Sequence, residues 1–471
     1  MPPPAGTIQH LVVLMLENRS FDHMLGFLRS DGYAIDGLTG TESNLDSTGV
    51  AVTVSNDARY SGDFTPDPGH DFISVNRQIF GNDQGTGEAT MSGFVTAYGQ
   101  MGASSVAQSH QIMKCFSPEK IPVLTTLAQQ YAVCDRWFSS VPGPTLPNRS
   151  FAHAATSIGR LDMNPIWLGE GETIYELLDK SGVSAKIFFQ DATVAMTVKN
   201  FLTNQKYFGT LDDFLDACDN GKLPSYSFIE PRYNADGNYA ANDQHPDHDV
   251  AEGETLIQDV YNAVRQSKLW NNTILLIVYD EHGGLYDHVP PPQTVNPDGK
   301  NCADPPFDFT RLGIRVPAIV VSPWVDAGAI DHTQYDHASI AATARKLFLG
   351  ANWRTNFLTA RDQIANPFDA VLTLNAPRTD TANFDAPANR PALARASDPQ
   401  QIAARAQQQS NLPLSDLQKA LVAQTHAVNQ SLPPAQQVAA SPSEVQTEGD
   451  AASFHSQVAA QVLPAKVQKA P

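Results

Sequence analysis

An α/β fold with a mostly parallel central sheet is predicted by two observations on this sequence. Three apolar runs, IQHLVVLML (8–16), TILLIVYD (273–280) and VPAIVVSPW (316–324), are continuous rather than alternating, as strands buried on both faces of a sheet are. Amphipathic helices fall between and after them. In 251–270, Leu256, Ile257, Val260, Tyr261 and Val264 share one face, and in 336–348 Ile340, Ala344, Leu347 and Phe348 do so. Strands alternating with such helices build a parallel sheet covered on both sides, and ligands then sit at the carboxyl ends of the strands.

Taken in order, the first strand ends at Leu16 and runs straight into Glu17-Asn18. Residues 31–115 are rich in Gly, Asp, Ser and Thr and read as long loops over the active face. Weaker strands are expected at AKIFF (185–189) and YSFIE (226–230). The second strong strand ends, like the first, in acid, at Asp280-Glu281. A catalytic domain over 1–385 is expected, followed by an Ala/Gln/Pro-rich tail over 386–471. The tail reads as a peripheral helix, with 414–428 amphipathic, or as partly disordered.

The chain has 50 acidic and 31 basic residues and a net charge of -19, which opposes binding to nucleic acid. Its four cysteines form no C-x-x-C pair, so zinc-ribbon and disulfide-scaffold readings fail. No segment is apolar enough to span a bilayer, and transient contact with a membrane surface stays open. MPPPAGTIQH lacks a basic n-region, so the chain as written reads as cytoplasmic, or as secreted or periplasmic if a leader is missing.

Glu17, Asn18, Asp280 and Glu281 would gather at one sheet edge. Carboxylates brought together repel, and a divalent cation relieves that repulsion; Ca, Mg, Mn and Zn all remain open, with oxygen-rich ligation leaning to the harder ions. For either acid pair alone the plainer reading is a cap or a strand end. Gly283 and Gly284 would let backbone approach a ligand closely. In SSVPGPTLPNRSFAHAATS (139–157), three prolines and Gly143 make a rigid turn around Thr145, with a helix starting near Pro147. A hydroxyl there, beside a metal and a helix N-terminus, is a candidate nucleophile toward phosphorus, although a lone threonine before a helix is usually only a cap. His70, His245, His248, His332 and His337 lie in acid-flanked segments. Neighbouring carboxylates favour the imidazolium form, which can bind phosphate oxygens or protonate a leaving alcohol. The H-x-x-H spacing at 245–248 could equally supply ligands to a second metal.

ENRSFDHMLGF (17–27), DPGHDF (67–72), GPTLPNR (143–149), FIEPRY (228–233), NDQHPDHDV (242–250), YDEHGGLYDHVPPP (279–292), RVPAIVVSPW (315–324) and HTQYDHASI (332–340) together resemble the bacterial phosphoesterase family, which includes phospholipases C and a group of acid phosphatases. The resemblance implies an alkaline-phosphatase-like three-layer fold. It also implies Glu17, Asn18, Asp280 and Glu281 at the metal, Thr145 as the nucleophile, and the five histidines in the active site. The expected activity is phospholipase C-type cleavage of a phosphodiester such as phosphatidylcholine through a phosphothreonine. The alternatives are phosphomonoesterase activity and a non-catalytic metal- or phosphate-binding role. Tyr175, Tyr233, Tyr239, Tyr279, Tyr286 and Trp324 are candidates for a cage around a quaternary ammonium. The larger secreted members carry C-terminal β-domains, and the tail here shows no strand pattern.

Overall fold

The apolar run after residue 8 becomes strand β1, His10–Leu16, and every residue from Leu11 to Leu16 is buried, so both of its faces are covered. The computed structural model describes residues 2–30, 32–102, 105–164, 171–197, 205–382, 384 and 399–462. Along the chain follow β2 (Ser43–Leu45), β3 (Ala51–Thr53), β4 (Ala132–Cys134), β5 (Ala185–Phe189), β6 (Phe208–Thr210), β7 (Tyr226–Ile229), β8 (Thr273–Tyr279), β9 (Cys302–Ala303), β10 (Pro306–Phe307), β11 (Ala318–Val321) and β12 (Ile330–Asp331). Eight of them form the central sheet, in the order β12-β4-β11-β8-β1-β7-β5-β6.

This is a mostly parallel sheet with one exception. Strand β11 runs antiparallel to both of its neighbours, β8 and β4. Its leading end therefore lies at the edge where the other strands finish. In the register of β1 on β8, Leu16 stands opposite Tyr279. The residues that follow, Glu17 and Asp280, consequently emerge side by side at the carboxyl edge.

The predicted helices form at Val250–Gln266 and Ala338–Phe348. Asp249 caps the first, accepting from the Ala251 N–H. Residues 31–115 differ from the expected long loops. They hold the β2–β3 hairpin and the helices Phe72–Phe80 and Phe94–Gln100, packed around Val75, Ile79, Phe94, Val95 and Tyr98 as a second hydrophobic cluster. The 72–80 helix does carry the helical period, with Phe72, Val75 and Ile79 buried on one face behind the Asp71 cap, but over only nine residues.

The tail residues within the described set form the helices Pro399–Gln409, Asp416–Ser431 and Glu448–Val462, whose Leu417, Leu421, Phe454 and Val458 join the main core. The stretches 386–398 and 463–471 of the predicted tail lie outside the described residues. All four cysteines are free thiols, three of them buried. No helix among the described residues is long and apolar enough to cross a membrane.

Candidate active site

Leaving β1, the chain turns at Asn18, whose φ of 53° is a left-handed conformation that Asn tolerates better than most residues. The turn aims the Asn18 N–H at Asp280 Oδ1, 2.9 Å away. Thr145 is the first residue of the helix Thr145–Ala154, with Pro144 before it; the predicted start at Pro147 is two residues late. The Thr145 hydroxyl donates to Asn18 Oδ1 at 3.1 Å, so three segments distant in sequence meet at one point. One helical turn on from Thr145, and so on the same face, Arg149 bonds Asp280 Oδ2 through Nε at 2.9 Å and pairs with Glu17 at 3.1 Å. Its guanidinium also lies over the Tyr233 ring, 5.4 Å from the centroid.

The donor set fits a hard divalent cation. Glu17, Asp280 and Glu281 are fully buried carboxylates. Both oxygens of Glu17 and Oε1 of Glu281 have no hydrogen-bond partner. Burial, with the Asp280 charge beside it, pushes Glu17 well above the usual carboxylate range, and burial raises Asp280 against the pull of Arg149. Two donors, Arg149 Nη1 and Asn18 Nδ2, are buried without partners and remain free for an anionic ligand.

Gly283 and Gly284 have positive φ, and their role differs from the expected one. A Cβ on Gly283 would lie 2.1 Å from the Asn18 carbonyl, and one on Gly284 2.7 Å from the Gly69 carbonyl. The glycines make room for neighbouring backbone that carries site residues. Gly283→Ala is expected to lower the melting temperature and to reduce turnover more than tenfold by pushing Asn18 off Asp280 and Thr145; thermal melts and initial rates check both.

The histidines separate into groups. His70 lies in a groove whose lining includes Phe64, Asp67, Asp247, Asp416 and Lys419. Burial opposes its charge, yet Glu281, Asp416 and Asp67 hold the imidazole well above its ordinary value. His245 is bonded through Nδ1 to Asp247; against burial, Asp247 and Asp67 hold it up, to about 10, and its charge is also felt by Glu17. His248 Nδ1 meets Asp243 at 2.6 Å and its Nε2 lies 3.4 Å from Glu448 of the tail. The loop carrying both is tied to β1 by the Glu17 N–H on the Asp243 carbonyl and by Arg19 on the Gln244 and His245 carbonyls.

His337 receives the Trp137 indole N–H at Nδ1 and bonds the Asp280 carbonyl through Nε2; burial lowers it to about 4. It is a neutral prop beneath Asp280: Nδ1 accepts from Trp137, and its single proton, on Nε2, is held by the Asp280 carbonyl. His332 stands apart: its side chain is 62% exposed and pairs with Asp135, so it does not join the group.

Sequence reasoning did not single out Arg149, Asp67, Asp416 or Glu448. The spacing of four from Thr145 could have pointed to Arg149; nothing local marks the two tail acids. None of the six expected cage aromatics lines the groove, where Phe64 is the aromatic residue. Tyr175, Tyr233 and Tyr279 are fully buried.

A second acid–histidine cluster, Asp22, Asp287 and His288, already has its cation. Arg315, delivered by the leading end of β11, bonds Asp287 at 2.9 Å and Asp22 at 3.1 Å. His288 feels Asp22, Asp287, Asp36 and Arg315; burial opposes its charge but Asp22 raises it to about 9. A folded-state value above the unfolded one means that the stabilisation is complete below pH 6.5 and lost as pH rises through about 9. Its size is on the order of 3 kcal/mol. We expect the melting temperature to fall by about 3 °C across that window, and His288→Gln to flatten that limb of a pH-resolved melting series.

Residues 8–349 match the family model described as "Phosphoesterase family". The chain belongs to the phosphoesterase family. All the groups above up to His337 lie within the matched residues, so the phosphoesterase body supplies every one of them except Asp416, Lys419 and Glu448. Among relatives, the chain is 42% identical over 421 residues to non-specific phospholipase C6 of Arabidopsis thaliana, covering 84% of this chain and 78% of that one. It is 41% identical to non-specific phospholipase C1 of the same plant, over 80% and 73% of the two chains. It is 26% identical to phospholipase C B of Mycobacterium tuberculosis, over 72% and 73%.

Proposed function

We propose that this phosphoesterase is a phospholipase C-type hydrolase that uses Thr145 as its nucleophile, with an alkaline-phosphatase-like arrangement of the site. The observation that carries the reading is the Thr145 hydroxyl on Asn18 Oδ1 at 3.1 Å, with Asn18 itself held on Asp280. The names of the relatives support the reaction class.

Glu17, Asn18, Asp280, Glu281 and the Thr145 hydroxyl would hold a divalent metal, whose chemistry is to favour the threonine alkoxide and to polarise the phosphoryl oxygen. The chain's own residues do the rest. Thr145 Oγ1 attacks phosphorus, forming the Thr145–phosphorus bond as the bond to the diacylglycerol oxygen breaks. Unbonded backbone N–H groups in the first turn of the Thr145–Ala154 helix, with its positive dipole end, offset the negative charge of the phosphoryl group. Arg149 Nη1 and Asn18 Nδ2 are free donors for its oxygens. His70, held protonated by its carboxylate neighbours, gives a proton to the departing alcohol. Water then attacks phosphorus and returns a proton to His70 as the bond to Thr145 Oγ1 breaks, which releases phosphocholine and frees the threonine. His337 positions Asp280, and His248, tied to Asp243, holds the loop that carries His245.

The test is a substrate panel on one preparation. p-Nitrophenylphosphorylcholine is expected to turn over faster than p-nitrophenyl phosphate, with diacylglycerol and phosphocholine released from phosphatidylcholine. A preference for the monoester would make the chain an acid phosphatase, and binding without turnover would make it a phosphate-binding protein.

A further inference from the structure

Beside the Glu17 group lies a second set of ligand-type atoms. Single ligand atoms of Asp67, His245 and Asp416 all fall within 4.8 Å of one another. They come from the 61–71 segment, the 243–248 loop and the first turn of the Asp416–Ser431 helix. We propose that Asp67, His245 and Asp416 hold a divalent cation of their own, facing the groove, the ion displacing the proton on His245 Nε2.

The orientation of His245 carries the argument. Its side chain is 2% exposed, and Nδ1 is bonded to the Asp247 carboxylate. Nε2 has no hydrogen-bond partner and points at Asp67 Oδ2 from 3.7 Å. That is too far for an N–H···O bond. It is close to the separation of about 3.4 Å between two ligands that sit ~2.1 Å from one tetrahedral ion. A carboxylate on one imidazole nitrogen, with the other nitrogen turned into a group of acids, is the second-shell arrangement that orients a metal-binding histidine.

The carboxylates agree. Asp67 Oδ1 is buried and also lacks a partner. Asp416 Oδ2 lies 3.2 Å from His70 Nε2, an outer partner that would steady it. His70 in turn has its Nδ1 on the Pro68 carbonyl, 2.8 Å away. Two carboxylates and one imidazole leave coordination positions open, and Asp67 and Asp416 both line the groove, so a water or a phosphoryl oxygen could complete the shell. With a nitrogen ligand the site suits a zinc-like ion, whereas the Glu17 group offers only oxygen.

The experiment is metal titration of chelator-stripped full-length protein with Zn2+ and Co2+, with bound ion measured after gel filtration. Wild type should bind two equivalents. Asp416→Asn should weaken one of them more than about 100-fold, since second-shell partners alone are worth roughly 10–100-fold. Glu17→Gln should remove the other. The Co2+ retained by Glu17→Gln should give the large contact shift of a directly ligated imidazole N–H, and the Co2+ retained by Asp416→Asn should give only the smaller through-space shifts of neighbours such as His337. Asp416 is 41% exposed and Asn matches its shape, so folding should survive. The wild-type NMR spectrum tests the imidazole ligand without any variant. Wild type binding one equivalent that Asp416→Asn leaves intact overturns the inference while sparing the Glu17 site. One equivalent lost only in Asp416→Asn supports it and overturns the metal reading of the Glu17 site. Two equivalents without an imidazole signal also overturn it.

Discussion

Thr145→Ala is expected to reduce turnover of a phosphocholine ester by about 10³-fold or more, or roughly 4 kcal/mol of barrier. The side chain removed is the one that joins the helix Thr145–Ala154 to Asn18. Alanine is a good helix former, so the fold should tolerate it. Thr145→Ser keeps the hydroxyl and should keep measurable activity. Acid quenching of wild type during turnover should leave phosphate on the peptide containing residue 145, and the alanine variant should carry none. Unchanged turnover in the alanine variant would rule the mechanism out.

Asp280→Asn should have the second-largest effect, on stability as well as rate. Asp280 accepts from Asn18 and from Arg149, and its own backbone carbonyl is propped by His337. Breaking one partner of a buried ion pair costs about 3–5 kcal/mol, because the other is left uncompensated. Arg149 would then share only Glu17. Spread over the unfolding entropy of a chain this long, that is a fall of about 3–5 °C in melting temperature. Bound metal should drop by one equivalent and turnover by at least about 10³-fold. A variant with normal metal content and normal rate would remove Asp280 from the site.

The parts of this site that could be read in the sequence share one property: each lies at the end of a strongly patterned element. Glu17 and Asp280 terminate strands whose apolar runs are unmistakable, and Leu16 opposite Tyr279 puts them level. Thr145 stands among prolines. The parts that could not be read are those whose meaning depends on a distant partner. His332 and His337 look alike in sequence, each next to an aspartate, yet one is mostly in solvent and the other is a buried neutral support. Residues 31–115 pack around a hydrophobic cluster that short elements, such as the nine-residue helix Phe72–Phe80, contribute piecemeal. Asp416 and Glu448 sit in Ala- and Gln-rich sequence that gives no sign of the histidines they approach.

Those two tail acids impose an order on synthesis. His70 and His248 leave the ribosome long before Asp416 and Glu448, the carboxylates that face them at 3.2 and 3.4 Å. A nascent chain halted after Phe384 contains the residues of the central sheet, the Thr145 helix and the Glu17 cluster, but lacks one wall of the groove. Assembly of the finished cleft therefore waits until the helices that carry Asp416 and Glu448 have been translated and have docked.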